Sequence, residues 1–218
     1  MALDFEIRKP PAAPKGLALL LHGYDQDAFS IFSKLEKFIP KDFVVFAPTA
    51  PFPIPHWDTK LFPAPGWRKQ KLRLGYSWYF YQSQTQEYLV DMTTSLACIE
   101  AGLENFSLLN LPKIIIGFSQ GAYVAPFAAL RLSDSKQVIC ISCEFLPDDL
   151  PIGFSFRIDG IFGEKDRIAE IDVARRSHGE LVNRGVIGEF RIISGMDHEV
   201  NEDCGMAVRE LMRNVVKS

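Results

Sequence analysis

The sequence predicts an α/β fold: a three-layer sandwich whose mainly parallel central sheet is flanked by helices on both faces, with no large cap domain. Two observations predict it. Short, almost continuously apolar runs rich in β-branched residues recur as GLALLL (16–21), FVVFAP (43–48), KIIIG (113–117), QVICIS (137–142), SFRIDGIF (155–162) and EFRIIS (189–194). Such runs suit strands buried on both faces, as in a parallel sheet covered by helices. Between them lie stretches with the three-and-four spacing of amphipathic helices, so strand and helix alternate. With 218 residues, 47% hydrophobic and a net charge of −3, the chain suits one domain over 1–218 and does not read as disordered.

The elements follow in order. ALDFEIR near the start alternates and predicts an edge strand. A helix is expected over 27–38, after the GLALLL strand. Residues 49–82 break the alternation with five prolines and all three tryptophans, and read as a long ordered loop that covers something. From Leu89 the positions Met92, Leu96, Ile99, Leu103 and Phe106 form one helical face, and Ser83 with Gln86 resembles a capping box at its start. A helix over 119–132 contains Pro126, which should bend it or remove a backbone bond. Another over 170–184 is stopped by Gly185, and the last spans 201–216.

Several classes are disfavoured. No run of about 18 apolar residues suggests a membrane-spanning helix. The opening MALDFEIRKPPAAPKG lacks the apolar core of a secretory signal, so a cytoplasmic location is expected. The acidic balance argues against a nucleic-acid partner. Cys98, Cys140, Cys143 and Cys204 read as reduced, packed thiols. Cys140 and Cys143 stand three apart in a strand run, which predicts sulfurs on opposite faces, and no second ligand pair for zinc accompanies them.

The strongest chemical signal is Gly117-Phe118-Ser119-Gln120-Gly121, directly after one strand run and before a helical one. This is G-x-S-x-G in the context its mechanics require: a sharp turn that lifts a serine hydroxyl above the sheet edge, possible only between small neighbours. Ser119 is the expected nucleophile. In folds of this kind the order is nucleophile, acid, histidine. Of the four histidines, only His178 and His198 follow Ser119. His178 sits on an apolar stripe with Ile171, Ala174 and Leu181 and reads as packed, whereas His198 follows a strand in SGMDHEVN, where open α/β sheets place their sites. His198 is the expected base. Asp166 in GIFGEKD is the expected orienting acid, with Glu164 as its nearby competitor. Backbone N–H groups of Gln120 and Tyr24 are the expected oxyanion donors, and His22 reads as a tether for the Leu21–Asp25 loop.

LLLHGY (19–24), FAPTAP (46–51), SWYF (77–80), GFSQGA (117–122), ISCEFLP (141–147), GEKD (163–166) and GMDHEV (195–200) together carry a resemblance. The chain resembles the small phospholipase/carboxylesterase group of α/β-hydrolases, which includes acyl-protein thioesterase-like enzymes. The resemblance implies a Ser119–Asp166–His198 triad with Tyr24 and Gln120 amides at the oxyanion. It further implies hydrolysis of small-molecule esters or thioesters through an acyl-enzyme, with neither metal nor organic cofactor. Tyr24, Phe162 and Asp197 depart from the family's usual residues, where a smaller aliphatic, a histidine and often a glycine stand.

Substrate selection is expected to rest on the aromatic loop, with Trp78, Tyr79, Trp67 and Phe62 as candidate walls for an acyl chain of small to medium length. For any one of them the competing reading is a plug at the core edge. Arg68, Lys69, Lys71 and Arg73 form a basic cluster that reads as a solvated face. As a head-group site it would make the protein a lysophospholipase. A hydrolase-like binding protein without turnover is the alternative from another class, and a homodimer is left open.

Overall fold

The computed structural model describes residues 4–56 and 73–216. Its first half contains β1 (Phe5–Arg8), β2 (Gly16–Leu21), α1 (Ala28–Leu35), β3 (Phe43–Pro48), β4 (Phe52–His56), β5 (Arg73–Ser77), β6 (Phe80–Gln82), β7 (Glu87–Val90) and α2 (Thr93–Asn105). The second half contains β8 (Lys113–Phe118), α3 (Gln120–Arg131), β9 (Ser135–Ile141), β10 (Arg157–Gly163), α4 (Ile171–Asn183), β11 (Phe190–Ile193) and α5 (Glu202–Val216). Seven strands form one sheet in the order β1-β3-β2-β8-β9-β10-β11. Only the edge strand β1 runs antiparallel, against β3; the other pairs are parallel.

Strand alternation divides the core into two layers. Leu17, Leu19, Leu21, Ile115, Val138 and Cys140 face a cluster with α2, α3 and α4, whose contributions include Ile99, Leu103, Val124, Ala128 and Leu181. Their neighbours Ala18, Leu20, Ile114, Ile116, Ile139 and Ile141 face Ile31 and Leu35 of α1 and Val208, Leu211 and Met212 of α5. Both faces of the central strands are thereby dry, which is why these runs lack polar alternation. No helix among the described residues is long and apolar enough to cross a membrane.

The helix ends follow local chemistry. Asp27 caps α1 by accepting the Ser30 N–H at 2.8 Å. Gly185, at φ 91°, ends α4: its N–H donates to Val182 O, and Val186 N–H donates to Leu181 O. α3 continues through Pro126, which has no N–H to offer Ala122 O. The Cys140 thiol lies 3.5 Å from that carbonyl and donates to it.

Three expectations are corrected. Residues 49–82 are not one loop: β4 and β5 pair as an antiparallel hairpin, and β6 pairs with β7. The capping box is absent, because Ser83 and Gln86 occupy the β6–β7 turn, with Gln86 at φ 56°. α2 starts only at Thr93, whose N–H is accepted by Asp91. Lastly, Cys140 and Cys143 do not take opposite faces. β9 ends at Ile141, Ser142 turns the chain at φ 53°, and both thiols enter the same apolar cluster as neighbours. Phe62 and Trp67, with Arg68, Lys69 and Lys71, lie outside the described residues.

Two buried charges tie the sheet's lower end. Asp159 accepts from Arg157, from Gln137 Nε2 at 2.6 Å and from Glu189 N–H at 2.8 Å, so it is a paired core carboxylate. Lys113, fully buried, donates its ammonium to Leu109 O, Leu111 O and Ser133 O at 2.6–2.9 Å. Lys113→Met keeps the apolar stem but strands three carbonyls. It is expected to cost about 2–4 kcal/mol of unfolding free energy in urea titration; an unchanged midpoint would remove this role.

Candidate active site

The site stands where β2, β8, β10 and β11 end. Ser119 follows β8 with φ 50° and ψ −118°, a conformation L-residues adopt only under constraint. The constraint is visible in its neighbours. A Cβ on Gly117 would sit 2.3 Å from Gly121 O, and one on Gly121 would sit 2.3 Å from Leu21 O. Ser119 N–H donates to Ile141 O at 2.9 Å, which fixes the turn to β9.

His198 Nε2 lies 3.0 Å from Ser119 Oγ, and its Nδ1 lies 2.9 and 3.0 Å from the two carboxylate oxygens of Asp166. With Nδ1–H donating to the carboxylate, Nε2 is left to accept the serine proton. The Asp166 side chain is fully buried while that of His198 is 17% exposed. Burial pushes the Asp166 carboxyl up, but donation from Ala169 N–H, His198 Nδ1 and Ile168 N–H outweighs it and holds the group below its ordinary value. Asp166 is thus a resident anion behind the imidazole. Glu164 has a different place: it accepts from Ser194 Oγ at 2.8 Å and Gly195 N–H at 2.9 Å, fastening the turn that leads to His198. Asp197 accepts the His198 N–H at 2.8 Å. Gly163 leaves room for this loop, since a Cβ there would meet Met196 O at 2.4 Å.

Tyr24 follows β2 in a loop organised by His22. Ala50 N–H donates to His22 Nε2 at 2.9 Å, so the ring proton sits on Nδ1 and donates to Gly23 O at 2.7 Å. That carbonyl shares a peptide plane with Tyr24 N–H, which therefore points the other way. Tyr24 N–H and Gln120 N–H have no acceptor among the described residues. Burial depresses the His22 pKa to about 4, keeping the ring neutral as this tautomer requires.

Trp78 does not line an open groove. It is fully buried, its indole donates to His22 O at 2.8 Å, and its ring lies 4.9 Å from the His22 ring. Tyr79 is partly buried against the core beside Tyr88, with desolvation pushing its phenol up. His178 is packed, donating from Nε2 to Ile158 O at 3.0 Å. Sequence reasoning missed the roles of the Gln120 side chain, Ser77 and Ser95. Gln120 and Ser77 left a trace, inside the GFSQGA and SWYF stretches.

A mostly parallel seven-stranded sheet with a strained serine after β8, and acid and histidine after later strands, defines an α/β hydrolase. Residues 13–171 match the FSH1 serine hydrolase family, and the chain belongs to it. The esterase PE8 structure is similar at a TM-score of 0.75 and 22% identity, covering 99% of this chain and 100% of that one. Zea mays acyl-protein thioesterase 2 aligns at a TM-score of 0.72 and 16% identity, covering 98% and 99%. A carboxylesterase from Mesorhizobium loti aligns at 0.67 and 16%, covering 97% and 94%. These structures share the fold, in agreement with the motif resemblance. Comparison with curated protein sequences gives no match.

The His22 geometry has a pH consequence. Its folded pKa of about 4 lies below the ordinary 6.5, so its contribution is whole above pH 6.5. Stability is lost as pH falls toward 4, because the unfolded chain takes up a proton that the folded one refuses. The loss is about 3 kcal/mol. Urea midpoints measured across that window should fall steeply in the wild type and less in His22→Gln; equal slopes would contradict the assignment.

Proposed function

We propose that the protein is a serine esterase or thioesterase acting on small to medium acyl groups through an acyl-enzyme. The observation that carries the reading is the hydrogen-bonded series Ser119 Oγ, His198 Nε2 and Nδ1, and the Asp166 carboxylate. His198 accepts the hydroxyl proton as Oγ attacks the substrate carbonyl carbon, and Asp166 stabilises the imidazolium that forms. The new oxyanion accepts hydrogen bonds from Tyr24 N–H and Gln120 N–H, the latter at the start of α3 where the helix dipole is positive. Collapse expels the alcohol or thiol with a proton from His198. Water then attacks the acyl-enzyme, gives its proton to His198, and releases the acid as Ser119 recovers its hydrogen. Belonging to a serine hydrolase family supports the same class, and the acyl-protein thioesterase likeness keeps sulfur esters in view.

Tyr79 remains the candidate acyl wall among the described aromatic residues, since its carbonyl is bonded to Gln120, the neighbour of Ser119. A fluorophosphonate probe should label Ser119 in the folded protein, and Ser119→Ala should abolish both labelling and turnover. Asp166→Asn should lower kcat by about 10²–10⁴ through loss of the imidazole's orientation and charge partner. An unlabelled wild type would overturn the enzyme reading.

Chain length offers a separate check. Trp78 is committed to the core and cannot wall an acyl chain, and the prolines of the aromatic segment restrict how far it can open. Turnover of p-nitrophenyl acetate and butyrate should therefore exceed that of the palmitate, and a rate rising steadily to palmitate would contradict it.

A further inference from the structure

Gln120 carries a side chain that the chemistry above does not use. The residue is 9% exposed, and its amide is spent entirely on one neighbouring segment. Its Oε1 accepts Trp78 N–H at 2.9 Å, while Nε2 donates to Ser77 Oγ and Tyr79 O, both at 2.9 Å. Ser77 Oγ in turn donates to Tyr79 O at 2.5 Å. A buried primary amide is costly unless its donors and acceptor are all matched, and here they are matched in a single orientation.

The segment so held is itself a bridge. Trp78 O accepts from Ser95 Oγ, and the Trp78 indole N–H reaches across to His22 O at 2.8 Å. His22 O and Gly23 N–H belong to one peptide, and Gly23 N–H donates to Gln26 Oε1 at 3.0 Å. The next peptide carries Tyr24 N–H. Gln120 therefore bears one oxyanion amide on its own backbone and, through its side chain, Trp78 and His22, holds the loop that bears the other.

We propose that the Gln120 side-chain amide is a positioning residue that sets the separation of the Gln120 and Tyr24 N–H groups. This rests on the serine hydrolase reading and adds to it a second task for the residue after the nucleophile. An interaction that matters only when negative charge develops between the two amides lowers kcat when lost and leaves substrate binding nearly intact.

The test is a double-mutant cycle on p-nitrophenyl butyrate with Gln120→Met, which keeps length without hydrogen bonds, and Trp78→Phe, which loses the indole N–H. Each single variant should lower kcat about 10–100-fold with KM within about threefold of wild type. The double variant should be no worse than the weaker single variant, because both cut one linkage. Affinity for an alkyl trifluoromethyl ketone, which forms a tetrahedral oxyanion on Ser119, should fall by the same factor as kcat. A merely structural role would not couple these two quantities. Unchanged kcat in Gln120→Met, or a double defect equal to the product of the singles, overturns the proposal.

Should either variant fail to fold, Gln120→Glu replaces it: a carboxylate facing Tyr79 O breaks the same strut. Normal kcat in that protein overturns the proposal equally. A wild type without labelling or turnover defeats the function reading instead, whereas an active wild type with an indifferent Gln120 defeats only the positioning role.

Discussion

The site depends on one backbone contact: the first turn of α3 presses against the end of β2 with no room for a side chain between them. Gly121 stands where any Cβ would collide with Leu21 O and His22 O, and Gly117 where one would collide with the α3 backbone. The contact brings two segments nearly a hundred residues apart in sequence to within van der Waals distance. It forces Ser119 into its positive-φ turn and sets the Tyr24 loop beside it. Strain at Ser119 persists because the parallel pairing of β8 with both β2 and β9 leaves the turn no alternative.

Around that contact the buried ionisable groups His22 and Asp166 each have defined partners. His22 is neutral with a known tautomer because one nitrogen must accept Ala50 N–H and the other must satisfy Gly23 O. Asp166 is held below its ordinary pKa because Ile168 N–H, Ala169 N–H and His198 Nδ1 converge on it. These assignments are mutually dependent: a protonated His22 would lose the Ala50 bond, and a protonated Asp166 would no longer hold Nδ1–H of His198. Glu164, close to Asp166 in sequence, works on the opposite side of the same turn, bracing residues 194–195 so that His198 meets both of its partners.

Much of this was legible in the sequence. Buried strands announce themselves as unbroken apolar runs, and Ser119, Asp166 and His198 each stand just beyond one. The antiparallel hairpins between β3 and α2 were not legible, since their proline- and aromatic-rich strands lack both signals by which a strand is read. Ser83 and Gln86 have the spacing of a helix cap, yet that spacing also fits a tight hairpin turn, and the pairing of Tyr81 with Tyr88 decides for the turn. The two-residue periodicity that separates Cys140 from Cys143 fails because Ser142 leaves the strand conformation, which no composition rule announces. Trp78 read equally as an acyl wall or a plug at the core edge; its burial follows from partners on three other elements, His22, Ser95 and Gln120.

The β4–β5 hairpin does more than carry chain toward the aromatic segment. Asp25, two residues beyond Gly23, pairs with His56 of β4, and a Cβ at Gly75 of β5 would strike its carboxylate. Gln26 forms a bridge to Tyr76. These strands are therefore built into the frame that presents Tyr24. The consequence is one of modularity: an exchange of this region between relatives that spares the frame would have to begin after His56 and end before Gly75. A graft that took the whole proline-rich region would bring a foreign partner to Asp25 and would disturb the loop that presents Tyr24.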